Sequence, residues 1–221
     1  MQKLVLFDFD GTLADTALDL AAAANKQRKR KGLPPLPYET FRPYASHGAR
    51  GLLKLALDIG PGDPDYETCR QQFLEDYEQD MTTLTTLFAG VKELLATLKD
   101  KGYAWGIVTN KMEYLAIPLV VHLGLFTECA VTVGGDTTTH AKPHPAPLLH
   151  AAKEAGFAPA DCIYVGDDER DIIAGKAAGM ATIVAAYGYC GKETALKTWQ
   201  ADAIAESPHD IWPAIQQWAV Q

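Results

Sequence analysis

Short apolar, mostly β-branched runs that recur between helical stretches constrain this chain more than any other feature of it. The runs are Leu4 to Phe9, Ala104 to Thr109, Ala130 to Val133, Cys162 to Val165 and Thr182 to Ala186. Helical spacing intervenes, for example at Val91, Leu94, Leu95 and Leu98. The segments Gly90 to Lys101, Ala146 to Ala155 and Ile172 to Ala178 each close on a glycine, the residue that most readily takes the left-handed conformation past a helix end. Strands alternating with helices in this way read as an α/β fold, a parallel sheet flanked by helices. Met112 to Leu123 also has a helical pattern, which Pro118 is expected to kink or restart.

The interval between the first two runs is too long for one crossover helix. It reads as wholly helical: Thr16 to Lys31, a shorter piece near Tyr38 to Tyr44, His47 to Ile59, and Asp65 to Met81, punctuated by GLPPLP and GPGDP. The expected organisation is therefore a core made of residues 1–15 and 83–221, with a small all-helical domain, residues 16–82, inserted into it. The basic run KQRKRK, Lys26 to Lys31, ends the first of these helices just before Gly32. Cations there complement the helix dipole, and a solvated helix end is expected.

In open parallel sheets, ligands bind beyond the carboxyl ends of the strands. The first run delivers Asp8 and Asp10 there, the second Thr109 and Asn110, and the fourth Gly166 to Asp171; Lys142 lies in the proline-bound loop AKPHP. The fifth run ends without a comparable polar group. Two like charges about 4 Å apart repel by roughly 4 kcal/mol at an effective dielectric near 20, so adjacent carboxylates need a cation or a proton. Hard oxygen ligands favour Mg²⁺, which commonly keeps waters and a substrate phosphate oxygen. Each group alone has a plainer reading. Asp63 and Asp65 repeat the spacing in a solvated turn, Thr109 could cap a helix, Lys142 could be solvated, and Asp171 could sit at a helix start.

Order and placement change that reading. DFDGT at Asp8 to Thr12, a strand-ending Thr109, Lys142, and GDDERD at Gly166 to Asp171 match in sequence the four signatures of the haloacid dehalogenase superfamily, which the chain resembles. The resemblance implies a Rossmann-like core with a helical cap inserted after the first signature. It implies Asp8 as the nucleophile, forming an aspartyl-phosphate, and Asp10 as the acid that protonates the leaving alcohol and then activates water. Mg²⁺ would be held by Asp8, the carbonyl of Asp10, and Asp167, with Asp171 orienting waters behind them. Thr109 and Lys142 would hold the transferring phosphoryl group. Asp10 favours phosphate ester hydrolysis, because the superfamily's dehalogenases need no leaving-group acid. Asn110, and the polar cap turn Ser46, His47 and Arg50 before the apolar helix Gly51 to Leu57, are the candidate substrate contacts.

Within the superfamily, the fragments FDGTLADT, VTNK, AKPHPAPLL, VGDDERDI and YGY are similar to the phosphoglycolate phosphatase group. The cap sequence RPYASHGARGLL is similar to N-acetylmuramic acid 6-phosphate phosphatases. A β-phosphoglucomutase-like phosphomutase would share the same signatures. A non-catalytic phosphate-binding protein should have lost at least one of Asp8, Asp10, Lys142 or Asp167, and none is missing.

Composition narrows the partners. A formal net charge of −8, from 28 acidic and 20 basic side chains, argues against a nucleic-acid backbone as ligand. The longest apolar stretch, AIPLVVHLGLF, is too short to cross a bilayer. No secretory signal is visible, so cytoplasmic residence is expected. The four cysteines are widely spaced and read as reduced thiols. The expected partner is a small phosphorylated metabolite, met by a monomer or a homodimer.

Overall fold

A computed structural model of the chain describes residues 3–190 and 193–219. They fall into two compact units, one running up to Ala14 and resuming at Leu87, the other spanning Asp15–Thr86.

The first unit opens with strand β1 (Leu4–Phe7), and the chain leaves it through the short strand β2 (Ala14–Asp15). In the second unit follow helices α1 (Ala17–Arg30), α2 (Tyr38–Phe41), α3 (Gly48–Leu57) and α4 (Tyr66–Asp80), with a 3-10 segment over Arg42–His47. The chain returns through β3 (Thr86–Leu87), which forms a two-stranded sheet with β2. The first unit then continues with α5 (Val91–Asp100), β4 (Ala104–Val108), α6 (Glu113–His122), β5 (Thr132–Val133) and α7 (Ala146–Glu154). It ends with β6 (Cys162–Gly166), α8 (Glu169–Ala177), β7 (Ala181–Ala185), α9 (Glu193–Thr198), β8 (Ala203–Ala205) and α10 (Pro208–Ala219).

Among the described residues the main sheet has six strands in the order β5-β4-β1-β6-β7-β8, and its pairings are parallel. This is the α/β sheet expected from the alternating runs. Strand β1 is central, and its four residues are fully buried, which is why they read as an unbroken apolar run rather than an alternation. The chain steps from β1 to β4 on one side and later to β6 on the other. The order therefore reverses at β1, and a crevice opens beyond its carboxyl end. Register makes that crevice flush to within one residue. Phe7 aligns with Ile107 and with Val165, so Asp8 leaves its strand level with Val108 and Gly166, and Thr109 and Asp167 come one residue later.

Several expectations are corrected. Strand β8 and the β2–β3 pair were not foreseen, because two or three residues carry no readable periodicity. Pro118 neither ends nor restarts α6, which is continuous across it; proline removes only the one bond to the carbonyl of Tyr114, a residue on the exposed face. The basic run is at the end of α1, as expected, but three of its five cations are paired with carboxylates and not simply solvated. Lys26 meets Asp80 at 2.6 Å, Lys31 meets Asp65 at 2.8 Å, and Arg30 grips Asp76 with Nη2 2.8 Å from Oδ1. The cause is α4, which packs along α1 and presents an acidic edge to it. Arg50 lies in the first turn of α3 and not in a preceding turn, because that helix already starts at Gly48. Among the described residues no helix is long and apolar enough to cross a membrane.

Candidate active site

The site forms in the first unit, where β1, β4 and β6 end. The Asp8 amide donates to the carbonyl of Val165 at 2.8 Å, which carries the strand geometry one residue past β1 and aims the carboxylate into the crevice. The chain then turns within five residues, with the amides of Leu13 and Ala14 both donating to the Phe9 carbonyl. Gly11 sits in this turn at φ +84°, and a Cβ on it would overlap the carboxylate of Asp167. Glycine is therefore required twice, for its backbone conformation and for its lack of bulk. Thr12, fully buried, donates its hydroxyl to Asp167 Oδ1 at 3.3 Å.

Asp167 and Asp171 come from the β6–α8 junction. Helix α8 starts with a reciprocal cap: Asp168 accepts from the Arg170 amide at 2.9 Å, and Asp171 Oδ2 accepts from the Asp168 amide at 3.1 Å. The expectation that Asp171 sits at a helix start therefore describes one of its two carboxylate oxygens. The other, Oδ1, lies 2.8 Å from Lys142 Nζ.

Lys142 is the hub of the arrangement. Its ammonium hydrogen-bonds the carbonyl of Val108 at 2.9 Å and the hydroxyl of Tyr164 at 2.6 Å, and it lies 2.9 Å from Asp8 Oδ1 and 2.8 Å from Asp171 Oδ1. Asp8 Oδ1 is buried beside this ammonium, whose three protons are shared among four oxygens. Thr109, also buried, accepts from the Lys111 amide at 3.1 Å, which orients the hydroxyl and leaves its own proton to donate.

The carboxylate oxygens of Asp8, Asp167 and Asp171 lie within 4.8 Å of one another, all three residues buried. Burial pushes the Asp8 carboxyl up to about 7; Lys142 opposes this, while Asp171 and Asp10 add to it. Burial likewise raises Asp167 well above the usual carboxylate range, helped by the charges of Asp8 and Asp171. For Lys142, burial pulls downward, but Asp171 and Asp8 outweigh it and hold the ammonium above the ordinary lysine value. One ammonium thus stands beside two of three clustered carboxylates. A buried cluster of hard oxygens short of positive charge fits a divalent cation that takes oxygen ligands.

Four participants were not expected from the sequence. Tyr164, fully buried in β6, donates to Val108 O at 2.7 Å and lies 3.3 Å from Asp171 Oδ1. A tyrosine inside an apolar strand was the available signal, since a buried phenol needs a polar partner. Lys111 Nζ lies 3.1 Å from Asp10 Oδ1. The loop after β7, whose run ends without a comparable polar group, closes on Asp167 through the Tyr189 amide at 2.7 Å. Gly188 packs so tightly there that a Cβ would overlap both Gly11 O and Asp167.

Asn110 also fixes the lysine loop. Its amide nitrogen donates to the Lys142 carbonyl and its oxygen accepts from the Lys142 amide, each at 2.9 Å. Ser46, His47 and Arg50 belong to the second unit: Ser46 is half-buried, His47 and Arg50 are exposed, and His47 meets Tyr44 edge-on at 5.7 Å between ring centres.

The four signatures on one buried carboxylate cluster at the switch point of a parallel sheet define a hydrolase of the haloacid dehalogenase type. The family profile of haloacid dehalogenase-like hydrolases matches residues 5–185, and the chain belongs to that family. Its relatives make it a phosphoglycolate phosphatase-like member. It is 44% identical over 213 residues to a phosphoglycolate phosphatase of Xanthomonas campestris pv. campestris, covering 95% of each chain. It is 39% identical over 209 residues to the N-acetylmuramic acid 6-phosphate phosphatase of Pseudomonas aeruginosa, covering 95% of this chain and 92% of that one. The crystal structure of a predicted phosphoglycolate phosphatase from Haemophilus somnus superposes with a TM-score of 0.84 at 29% identity, covering 96% of this chain and 97% of that one.

Proposed function

We propose that the protein is a Mg²⁺-dependent phosphatase of small phosphorylated metabolites, working through an aspartyl-phosphate, with phosphoglycolate as the leading substrate. The observation that carries this reading is the clustering of the Asp8, Asp167 and Asp171 carboxylates, with the Lys142 ammonium beside two of them. Such a site repels an incoming phosphate until a cation balances it.

In the first step a carboxylate oxygen of Asp8 attacks phosphorus. The new oxygen–phosphorus bond forms as the ester bond breaks, and Asp10 gives its proton to the departing alcohol oxygen. In the second step Asp10 takes a proton from water, the resulting oxygen attacks phosphorus, and the Asp8 carboxylate leaves with inorganic phosphate as product. Thr109 donates its hydroxyl to the transferring group, and Lys142 offsets its charge from a position fixed by Tyr164, Val108 and the Asn110 clamp. Mg²⁺, held by the carboxylates of Asp8 and Asp167 and the carbonyl of Asp10, would neutralise phosphoryl oxygens when bound, with Asp171 behind them. The helical domain, residues 16–82, is proposed as the family's small cap, with Ser46, His47 and Arg50 as its substrate-reading groups.

An N-acetylmuramic acid 6-phosphate substrate is the second reading, favoured by the relative of that name at 39% identity. Asp8→Asn tests the mechanism. It should reduce phosphate release from a phosphate monoester by at least about a thousandfold, the scale of losing a covalent nucleophile, with an unchanged circular dichroism spectrum. Retained turnover refutes the nucleophile.

A further inference from the structure

Lys142 accounts for the positive charge that a phosphoryl group needs from the protein, yet a second lysine reaches the same crevice. Lys111 Nζ lies 3.1 Å from Asp10 Oδ1, with side chains only 7% and 14% exposed. Its backbone is fixed at both ends: the amide donates to Thr109 Oγ1 at 3.1 Å, and the carbonyl accepts from the Gly135 amide at 2.8 Å. Gly135 is packed so closely that a Cβ there would overlap the Asn110 carbonyl. The ammonium is thus delivered to the Asp10 side of the crevice by a tightly built loop.

That side is where the leaving group must be, given the mechanism proposed above, on which this inference rests. An acid that protonates the ester oxygen stands within hydrogen-bonding reach of it. A cation beside that acid therefore faces whatever the leaving alcohol carries on its first carbon. We infer that Lys111 is a specificity-determining residue that receives a substrate carboxylate bonded directly to the carbon bearing the phosphate ester, as in phosphoglycolate. The carboxylate of N-acetylmuramic acid 6-phosphate lies across the sugar ring from its phosphorylated carbon, beyond this reach. The inference therefore separates the two candidate substrates by one side chain.

The test compares phosphate release from phosphoglycolate and from 2-hydroxyethyl phosphate, which replaces the carboxylate by a neutral alcohol on a leaving group of equal length. Lys111→Met should lower kcat/KM for phosphoglycolate by about 10- to 100-fold more than for the neutral ester, the size of losing one charge-assisted hydrogen bond. The loss should fall mainly in KM, and Lys111→Arg should recover part of the preference. Equal losses on both esters would mean that Lys111 serves Asp10 alone, and no loss would mean that it serves neither; either result overturns the inference while leaving the phosphatase reading intact. A folded wild-type protein that released phosphate from neither ester nor from p-nitrophenyl phosphate would sink that reading, and this inference with it.

Discussion

In the helical unit the carboxylate of Asp76 is buried among donors; in the sheet unit the carboxylates of Asp8, Asp167 and Asp171 are buried among one another. Asp76 takes Arg30 Nη2 at 2.8 Å and Gln27 Nε2 at 2.7 Å, with Lys26 at 3.9 Å. The Arg30 hydrogen bond holds its carboxyl below the usual range, although burial opposes it. At the other site burial wins, and the Asp8 and Asp167 carboxyls are pushed upward. Both places are buried acid, yet one is satisfied and the other is not. A buried carboxylate with its donors in place stabilises a fold, whereas a cluster left short of positive charge is a binding site in waiting.

The largest expected effect sets these two apart. Asp167→Asn should cost at least about a thousandfold in turnover if it removes a ligand of the required cation. In EDTA the same variant should be more stable than wild type by about 1 kcal/mol, because one of three mutually repelling carboxylates at under 5 Å is gone while the Tyr189 amide keeps an oxygen to donate to. Thermal unfolding in EDTA and a phosphatase assay in Mg²⁺ read the two halves. A variant both inactive and strongly destabilised without metal would mean that the cluster is structural, and the comparison would fail.

What the sequence disclosed follows the same division. Asp8, Asp10, Thr109, Asp167 and Asp171 could be picked out because they follow apolar runs, and Lys142 because it lies in a proline-bound loop, in short motifs whose chemistry is local. The helical run of residues before α5 showed in an interval too long for one crossover. The partners that complete the site could not be picked out, because they act through contacts between distant segments. Tyr164 sits mid-strand, one position in an apolar run, and reaches Val108 and Lys142 only once the register is set. Tyr189 and Gly188 contribute a backbone amide and an absence of bulk, neither of which has a residue-type signature. Asn110 was legible as a polar group at the end of β4; only the fold shows its amide bonded to the Lys142 backbone. The pairing of the basic run with α4 was hidden for the same reason, since helix dipole arguments see only one helix.

Asp76→Asn sharpens the other side of the comparison. It should destabilise the protein by about 2 kcal/mol, the scale of hydrogen bonds to a buried charge, as measured by denaturant unfolding of the whole chain. The sign with pH follows from the depressed carboxyl. The unfolded chain binds the proton more tightly, so the stabilisation is present above the ordinary value of 3.8 and is lost as pH falls through the lower folded value. Wild type should therefore lose stability faster than Asp76→Asn below about pH 4, and the difference between them should shrink. Parallel curves would show that Arg30 and Gln27 do not set the ionisation of Asp76.

Tyr164→Phe asks how the Lys142 protons are divided at the active-site carboxylates. The Tyr164 hydroxyl accepts one Lys142 proton at 2.6 Å and passes its own to Val108 O at 2.7 Å, so it competes with Asp8, Asp171 and Val108 for the three ammonium protons. Phenylalanine preserves the packing of this fully buried side chain, and the Val108 carbonyl still accepts from Lys142, so stability should change little. Without the hydroxyl, the ammonium is held more closely by the Asp8 and Asp171 carboxylates, drawing charge from the position where the phosphoryl group needs it. A fall in kcat of about tenfold with little change in KM is expected, equivalent to one pKa unit of free energy, about 1.4 kcal/mol. Because the hydroxyl acts through the lysine, the losses from Tyr164→Phe and Lys142→Arg should be non-additive in the double variant. Additive losses, or reduced stability with kcat unchanged, would make Tyr164 a core residue that merely neighbours the site.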